Sequence, residues 1–178
     1  MSYTMKRILI STLLIFSFCV YGQRLNVLPK DENGKVHFTK TIESNNLSQE
    51  QAYNKSKSFF SNNFNSAKDV IELDDKEKST IIGKAHTILN IQNGKITTPV
   101  PLSFSIKIES KNNKCNVDIY NLIYNNGTFA ETFFSEYNEA RYIKANVKNK
   151  LIMESYRDQT LEKIAFIESK IKEELNKN

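Results

Sequence analysis

The stretch that decides the fold is LSFSIKIESKNNKCNVDIYNLIY, residues 102–124. In its first part Leu102, Phe104, Ile106 and Ile108 alternate with Ser103, Ser105, Lys107 and Glu109. That period of two is the signature of a strand with one face buried and one face open. Lys111-Asn112-Asn113 reads as a turn, and a second strand follows from Cys115 to Tyr124. There Cys115, Val117, Ile119 and Ile123 are expected on one side, and Asp118, Tyr120, Leu122 and Tyr124 on the other. Two strands joined by so short a turn pair antiparallel. Their polar rows leave one sheet face for solvent or for a ligand.

Working upstream, Thr80 to Ile91 predicts a long strand closed by an Asn93-Gly94 turn. Its small residues Gly83 and Ala85 suit a place where another element approaches closely. Val70 to Leu73 reads as a short strand, and Asp74-Asp75-Lys76-Glu77 as the turn after it. Ser48 followed three residues later by Gln51 has the form of a capping box. It opens a helix running to about Phe64, with Ala52, Tyr53, Ser56, Phe59, Phe60 and Phe64 on one face. Before it, the turn Asp31-Glu32-Asn33-Gly34 leads into a strand in which Val36, Phe38, Lys40 and Ile42 alternate with His37, Thr39 and Thr41. Downstream, Asn125-Asn126-Gly127 ends the hairpin, and the aromatic-rich stretch 128–150 has room for a short helix. Asp158 to Leu175 predicts a helix whose stripe is Leu161, Ile164, Ile167 or Glu168, Ile171 and Leu175. The order strand, helix, four strands, helix predicts an α+β domain of two layers, an antiparallel sheet of about five strands with both helices on one face.

The first residues carry an address. Lys6 and Arg7 precede an apolar run from Ile8 to Tyr21, which ends at Val20-Tyr21-Gly22. Charge, apolar core and small-residue exit in that order form a secretory signal, expected to occupy residues 1–22 and to leave a single domain, 23–178. The run is shorter than the roughly 20 apolar residues a bilayer span needs. An uncleaved anchor or a buried helix is the competing reading. Phe16 and Phe18 stand where a lipoprotein signal wants aliphatic and small residues, so lipid anchoring through Cys19 is not expected. The expected destination is the periplasm or the exterior, with no membrane span after cleavage.

Of the 178 residues, Lys and Arg outnumber Asp and Glu by five, and loss of Lys6 and Arg7 with the signal lowers that excess to three. So mild a charge, without a basic block, gives no electrostatic case for nucleic acid. The mature chain keeps one of the two cysteines, Cys115, and so has no internal disulfide; Cys115 is expected to be buried in its strand.

His37, His86 and Cys115 lack the spacing of a zinc site. The cluster Asp74, Asp75 and Glu77 lacks the ligand repeat of a calcium loop. Neither a nucleophile elbow nor a phosphate loop occurs. No cofactor is expected. Tyr120, Leu122 and Tyr124, with Phe129, Phe133, Phe134, Tyr137 and Tyr142 after them, either close the core under the last helix or offer an aromatic binding surface.

Five pieces of the chain occur in a fixed order: Gly34-Lys35-Val36, Ala52-Tyr53, Phe59-Phe60, Ser66 to Ile71, and Ile81 to Lys84. Together they resemble an exported domain-of-unknown-function family of Bacteroidetes, over about Leu28 to Tyr124. The family has a TATA-binding-protein-like (TBP-like) fold, which implies a curved antiparallel sheet backed by two helices. The tryptophan usual in the family's first helix appears here as Phe59 or Phe60. The resemblance brings no catalytic or binding residues with it, and fold likeness alone does not imply DNA binding.

The expected function is a non-enzymatic binding or interaction module of the cell envelope, with a protein or a glycan as partner. Its candidate ligand face comprises Lys84, His86, Lys107, Glu109, Asp118 and Tyr120. The alternative is a secreted hydrolase drawing acid and base from Glu109, Asp118 or Glu131.

Overall fold

The structure is a computed structural model that describes residues 28–44, 46–64, 70–124, 128–130 and 146–177. The expected signal and Cys19 therefore lie outside the described residues, as do Glu131 and the aromatic positions 133, 134, 137 and 142.

A tight turn opens the described chain. Asp31 Oδ1 accepts hydrogen bonds from the backbone N–H of Asn33 and of Lys35, each at 2.9 Å. Gly34 takes φ +76°, which suits a residue without a side chain. Strand β1, His37–Glu43, follows. Helix α1, Gln49–Asn63, starts at the capping box expected for it, with Ser48 Oγ accepting from Gln51 N and the Gln51 side chain accepting from Ser48 N. Strands β2 (Ile71–Asp75), β3 (Thr80–Asn93), β4 (Ile96–Lys111), β5 (Lys114–Tyr124) and the two-residue β6 (Thr128–Phe129) come next. Helix α2, Val147–Asn176, ends the chain.

The sheet is antiparallel and curved, in the order β1-β5-β4-β3-β2 with β6 on β5. Both helices cover one face. Beneath them Ile81, Ala85 and Leu89 of β3 meet Ile108, Phe104 and Val100 of β4, and Val117 and Ile119 of β5 continue the rows. Phe59 and Phe60 come down from α1, and Ile164, Ile167, Ile171 and Leu175 from α2. Close approach occurs where the small residues of β3 forecast it. A Cβ placed on Gly83 would lie 2.4 Å from Phe60 Cε1. Cys115 is fully buried on the helix side, with its Sγ 3.6 Å from both Ser56 Oγ and Ser110 Oγ.

Four local expectations are corrected. Asp74 and Asp75 belong to β2, because their pairing with Ile81 and Thr80 extends the strand to the turn at Lys76. Helix α2 begins eleven residues before Asp158, capped by Asn146, whose side chain accepts from Asn149 N at 2.9 Å. Leu161 is 39% exposed, and its expected place on the core stripe is taken by Thr160. Lastly, Leu122 and Tyr124 are buried toward the helices, whereas Ile123 is the half-buried residue between them.

The cause of this reversal is a β-bulge. Ser105 pairs with Tyr120 and Ser103 with Ile123, so two residues of β5 stand opposite one of β4. The extra residue, Asn121, adopts φ 53°. Asn is among the few side chains that accept this region readily. One inserted residue exchanges the faces of everything after it. Tyr120 therefore stays on the open face while Tyr124 turns inward, where its hydroxyl meets Thr160 Oγ1 at 2.7 Å.

Candidate functional site

The six candidate residues share the face away from the helices, as the pairing register requires. Cross-strand partners point to the same side of a sheet. Lys84 opposes Ser105, which opposes Tyr120, which opposes His37. In the next row Lys107 opposes Asp118, which opposes Thr39. Glu109 opposes Asn116, and His86 opposes Ser103.

The centre of this face is a connected set of side chains. Asp118 Oδ1 lies 3.1 Å from His37 Nε2 and accepts from the Thr39 hydroxyl at 2.9 Å. The Tyr120 ring stands 5.8 Å, centroid to centroid, from the His37 ring at a tilt of 41°. On the neighbouring strand β4 the Lys107 ammonium is paired with the Glu109 carboxylate. That hydrogen bond holds Lys107 above its ordinary value, against the opposing effect of burial, and the charges of Glu109 and Asp118 add to it. Burial pushes the Tyr120 phenol up, while the nearby Lys107 charge pulls it down. The result is a polar platform in which an ion pair, a half-buried carboxylate and an aromatic hydroxyl lie side by side.

Lys84 and His86 stand apart from that cluster. Both are exposed, and neither has an ion-pair partner among the described residues. His86 sits where β3 has run past the end of β2 and has become an edge, and there it reaches the rim of a cavity on the helix side.

Sequence reasoning missed His37 and Thr39 as members of the site. Their alternation placed them on the polar side of β1, but only the pairing of β1 with β5 brings them against Asp118. The group Tyr120, Leu122 and Tyr124 divides: Tyr120 belongs to the open face, and Leu122 and Tyr124 to the core. Tyr124 packs edge-on to Tyr156 of α2, with centroids 5.2 Å apart. Cys115 faces the helices, so it and the two histidines point to opposite sides of the sheet.

An antiparallel sheet in this order with two helices on one side is the arrangement expected of a TBP-like fold, and the sequence agrees. Residues 38–125 match the family described as a domain of unknown function (DUF4468) with TBP-like fold. The chain carries a DUF4468 domain. The fold is also that of a DUF4468 family protein from Bacteroides ovatus, whose crystal structure superimposes with a TM-score of 0.68 at 18% identity, over 86% of this chain and 93% of that one. A TBP-like protein from Parabacteroides distasonis superimposes with a TM-score of 0.56 at 15% identity, over 82% of this chain and 97% of that one. Among curated proteins none matches. The two solved relatives thus support the fold, and the DUF4468 domain must be read for function from its own residues.

Proposed function

We propose that this DUF4468 protein is an exported, non-enzymatic binding domain that engages an envelope protein or glycan through the open face of its sheet. The observation that carries the reading is the platform of Lys107, Glu109, Asp118 and Tyr120 with His37, set on rigid strands and left uncovered by either helix. Side chains held by their neighbours lose little freedom on binding, which favours recognition. Glu109 is engaged by Lys107, and Asp118 by His37 and Thr39. Each carboxylate therefore acts as part of a surface, and the hydrolase alternative gains no specific support from them. Export rests on Lys6, Arg7 and the apolar run to Tyr21.

A photo-crosslinking residue placed at Tyr120, with a control at exposed Leu161, tests the reading in the native host. A discrete adduct from position 120 and none from 161 is expected. Equal adducts from both positions, or none at 120, would reject the open face as the binding surface. Mass spectrometry of the purified protein should find Gln23 as its first residue, and a lipid on Cys19 would overturn the soluble form of the proposal.

A further inference from the structure

A cavity of about 160 Å³ lies between the end of α1, the edge of β3 and the middle of α2. It is on the helix side of the sheet and does not depend on the role proposed for the open face. Its walls are Phe59, Phe64, Phe104, Phe166 and Ile167. Phe59 and Phe104 are buried, and Phe64 meets Phe59 edge-on with centroids 5.8 Å apart, so most of the lining is fixed aromatic surface. Phe166 is different. It is 58% exposed at the mouth, an unusual position for a phenylalanine on a helix otherwise rich in Lys and Glu.

The rim is cationic. Lys163 and Lys170 line it, beside Asn63, Thr87 and His86, and no carboxylate does so among the described residues. Lys170 is engaged, since its ammonium lies 2.6 Å from Glu173 and 5.6 Å from the centre of the Phe166 ring. Lys163 is half-buried and, like His86, has no ion-pair partner among the described residues.

We propose that this cavity binds a small aromatic carboxylate. A compartment of roughly 150 Å³ with apolar walls is large enough to admit one benzene ring. Aromatic walls favour a ring over an alkyl chain through edge-to-face packing. The half-buried ammonium of Lys163 then takes the carboxylate at the mouth. In a partly desolvated site such a charge-assisted contact is stronger than a neutral hydrogen bond. Phe166 closes over the ring and loses its exposure on binding.

Phenylacetate, its neutral analogue phenylacetamide, and acetate serve as probes, titrated into the isotope-labelled protein purified after expression of the full chain. Phenylacetate should saturate and shift the resonances of Phe59, Phe104 and Phe166 together. Phenylacetamide should bind about tenfold more weakly, the loss of one hydrogen bond to a charged group. Acetate should leave the aromatic resonances unmoved. Lys163→Met, at a half-buried surface position, should keep the fold, weaken phenylacetate about tenfold and leave phenylacetamide unchanged. Lys163→Arg should restore binding of the acid. Equal affinity for acid and amide would overturn the anionic specificity, and absence of any saturable shift with phenylacetate would overturn the site. Shifts at Phe166 that depend on protein concentration alone would assign the cavity to a second copy of the chain and reject the small-molecule proposal.

Discussion

Gly83 lies beneath the ring of Phe60, so close that a methyl group on its Cα would come within 2.4 Å of Cε1. Phe60 has no route of retreat. It is fully buried and packs against Phe59 and Phe64, with centroids 5.2 and 5.9 Å away. Gly83→Ala improves the intrinsic strand propensity by a few tenths of a kcal/mol, but overpacking of a closed core costs about 1–3 kcal/mol. Steric cost wins, and the variant should unfold at lower urea concentration. Adding Phe60→Leu frees the space, so the double variant should lose less stability than the two single losses added together. Strict additivity in that double-mutant cycle would show that the two residues are not coupled.

Asn121 controls which side chains of β5 reach the core. Its φ of 53° costs a β-branched residue more than it costs Asn. Asn121→Val should therefore destabilise by about 1–2 kcal/mol, and Asn121→Gly should be neutral or better. Deleting the residue is a sharper test. It would remove the bulge and leave regular pairing, with Leu122 opposite Phe104 and Ile123 still opposite Ser103, so Leu122 and Tyr124 stay inward and the Tyr124–Thr160 contact is kept. Retained cooperative thermal unfolding is the expected result, and a deletion variant that unfolds without cooperativity would show that Asn121 is not the inserted residue.

This bulge marks where sequence patterning stops being informative. Up to Tyr120, β5 alternates cleanly, but Leu122, Ile123 and Tyr124 are all apolar, so either parity is self-consistent. Nothing local distinguishes them until pairing with β4 sets the register. The elements that were legible are those with local causes: the Ser48–Gln51 capping box, the small Gly83 and the alternating row from Leu102 to Glu109. The polar face was legible for the same reason. The His37–Asp118 contact was not, since it joins residues 81 apart in sequence. The first turns of α2 were hidden because Val147 and Leu151 are exposed and trace no core stripe.

Tyr53 and Asp74 tie α1 to β2 and set a limit on stability at each end of the pH scale. The Tyr53 hydroxyl donates to Asp74 Oδ1, and Lys57 Nζ lies 2.5 Å from Oδ2. Hydrogen bonds from Lys57 and then Tyr53 hold the Asp74 carboxyl below its ordinary 3.8. Its contribution is present above 3.8 and is lost as pH falls through the lowered value in the folded state. Burial, then the bond to Asp74, pushes the Tyr53 phenol up from 10.0 to about 12. That contribution is full below 10.0 and is lost as pH rises through about 12. Tyr53→Phe should flatten the alkaline loss and also weaken the acid loss, because Asp74 then loses a donor. Urea midpoints measured across pH for the parent and the variant check both limbs. An unchanged alkaline limb in the variant would show that Tyr53 does not carry it.

Helix α2 also finishes the sheet. Beyond Gly83 strand β3 has no β2 partner, and its outward N–H groups would form an open edge. Two of them are taken by side chains of the helix: Gln159 Oε1 accepts from Asn90 N at 3.2 Å, and Ser155 Oγ accepts from Gln92 N at 2.8 Å. The match follows from elementary geometry. Four helical residues rise about 6 Å, and two strand residues span about 6.6 Å. Side chains spaced i,i+4 thus meet alternate amides of a strand running alongside. These contacts are exposed, so water replaces them at little global cost. Ser155→Ala with Gln159→Ala should lower overall stability by no more than about 1 kcal/mol. Local protection should fall further. Hydrogen exchange at Asn90 and Gln92 should quicken about tenfold while the inward amides of Leu89 and Ile91, which face β4, keep their rates. Equal acceleration at all four amides would mean that the helix steadies the hairpin only as a whole, and the pairing of helix side chains with the strand edge would then have no separate role.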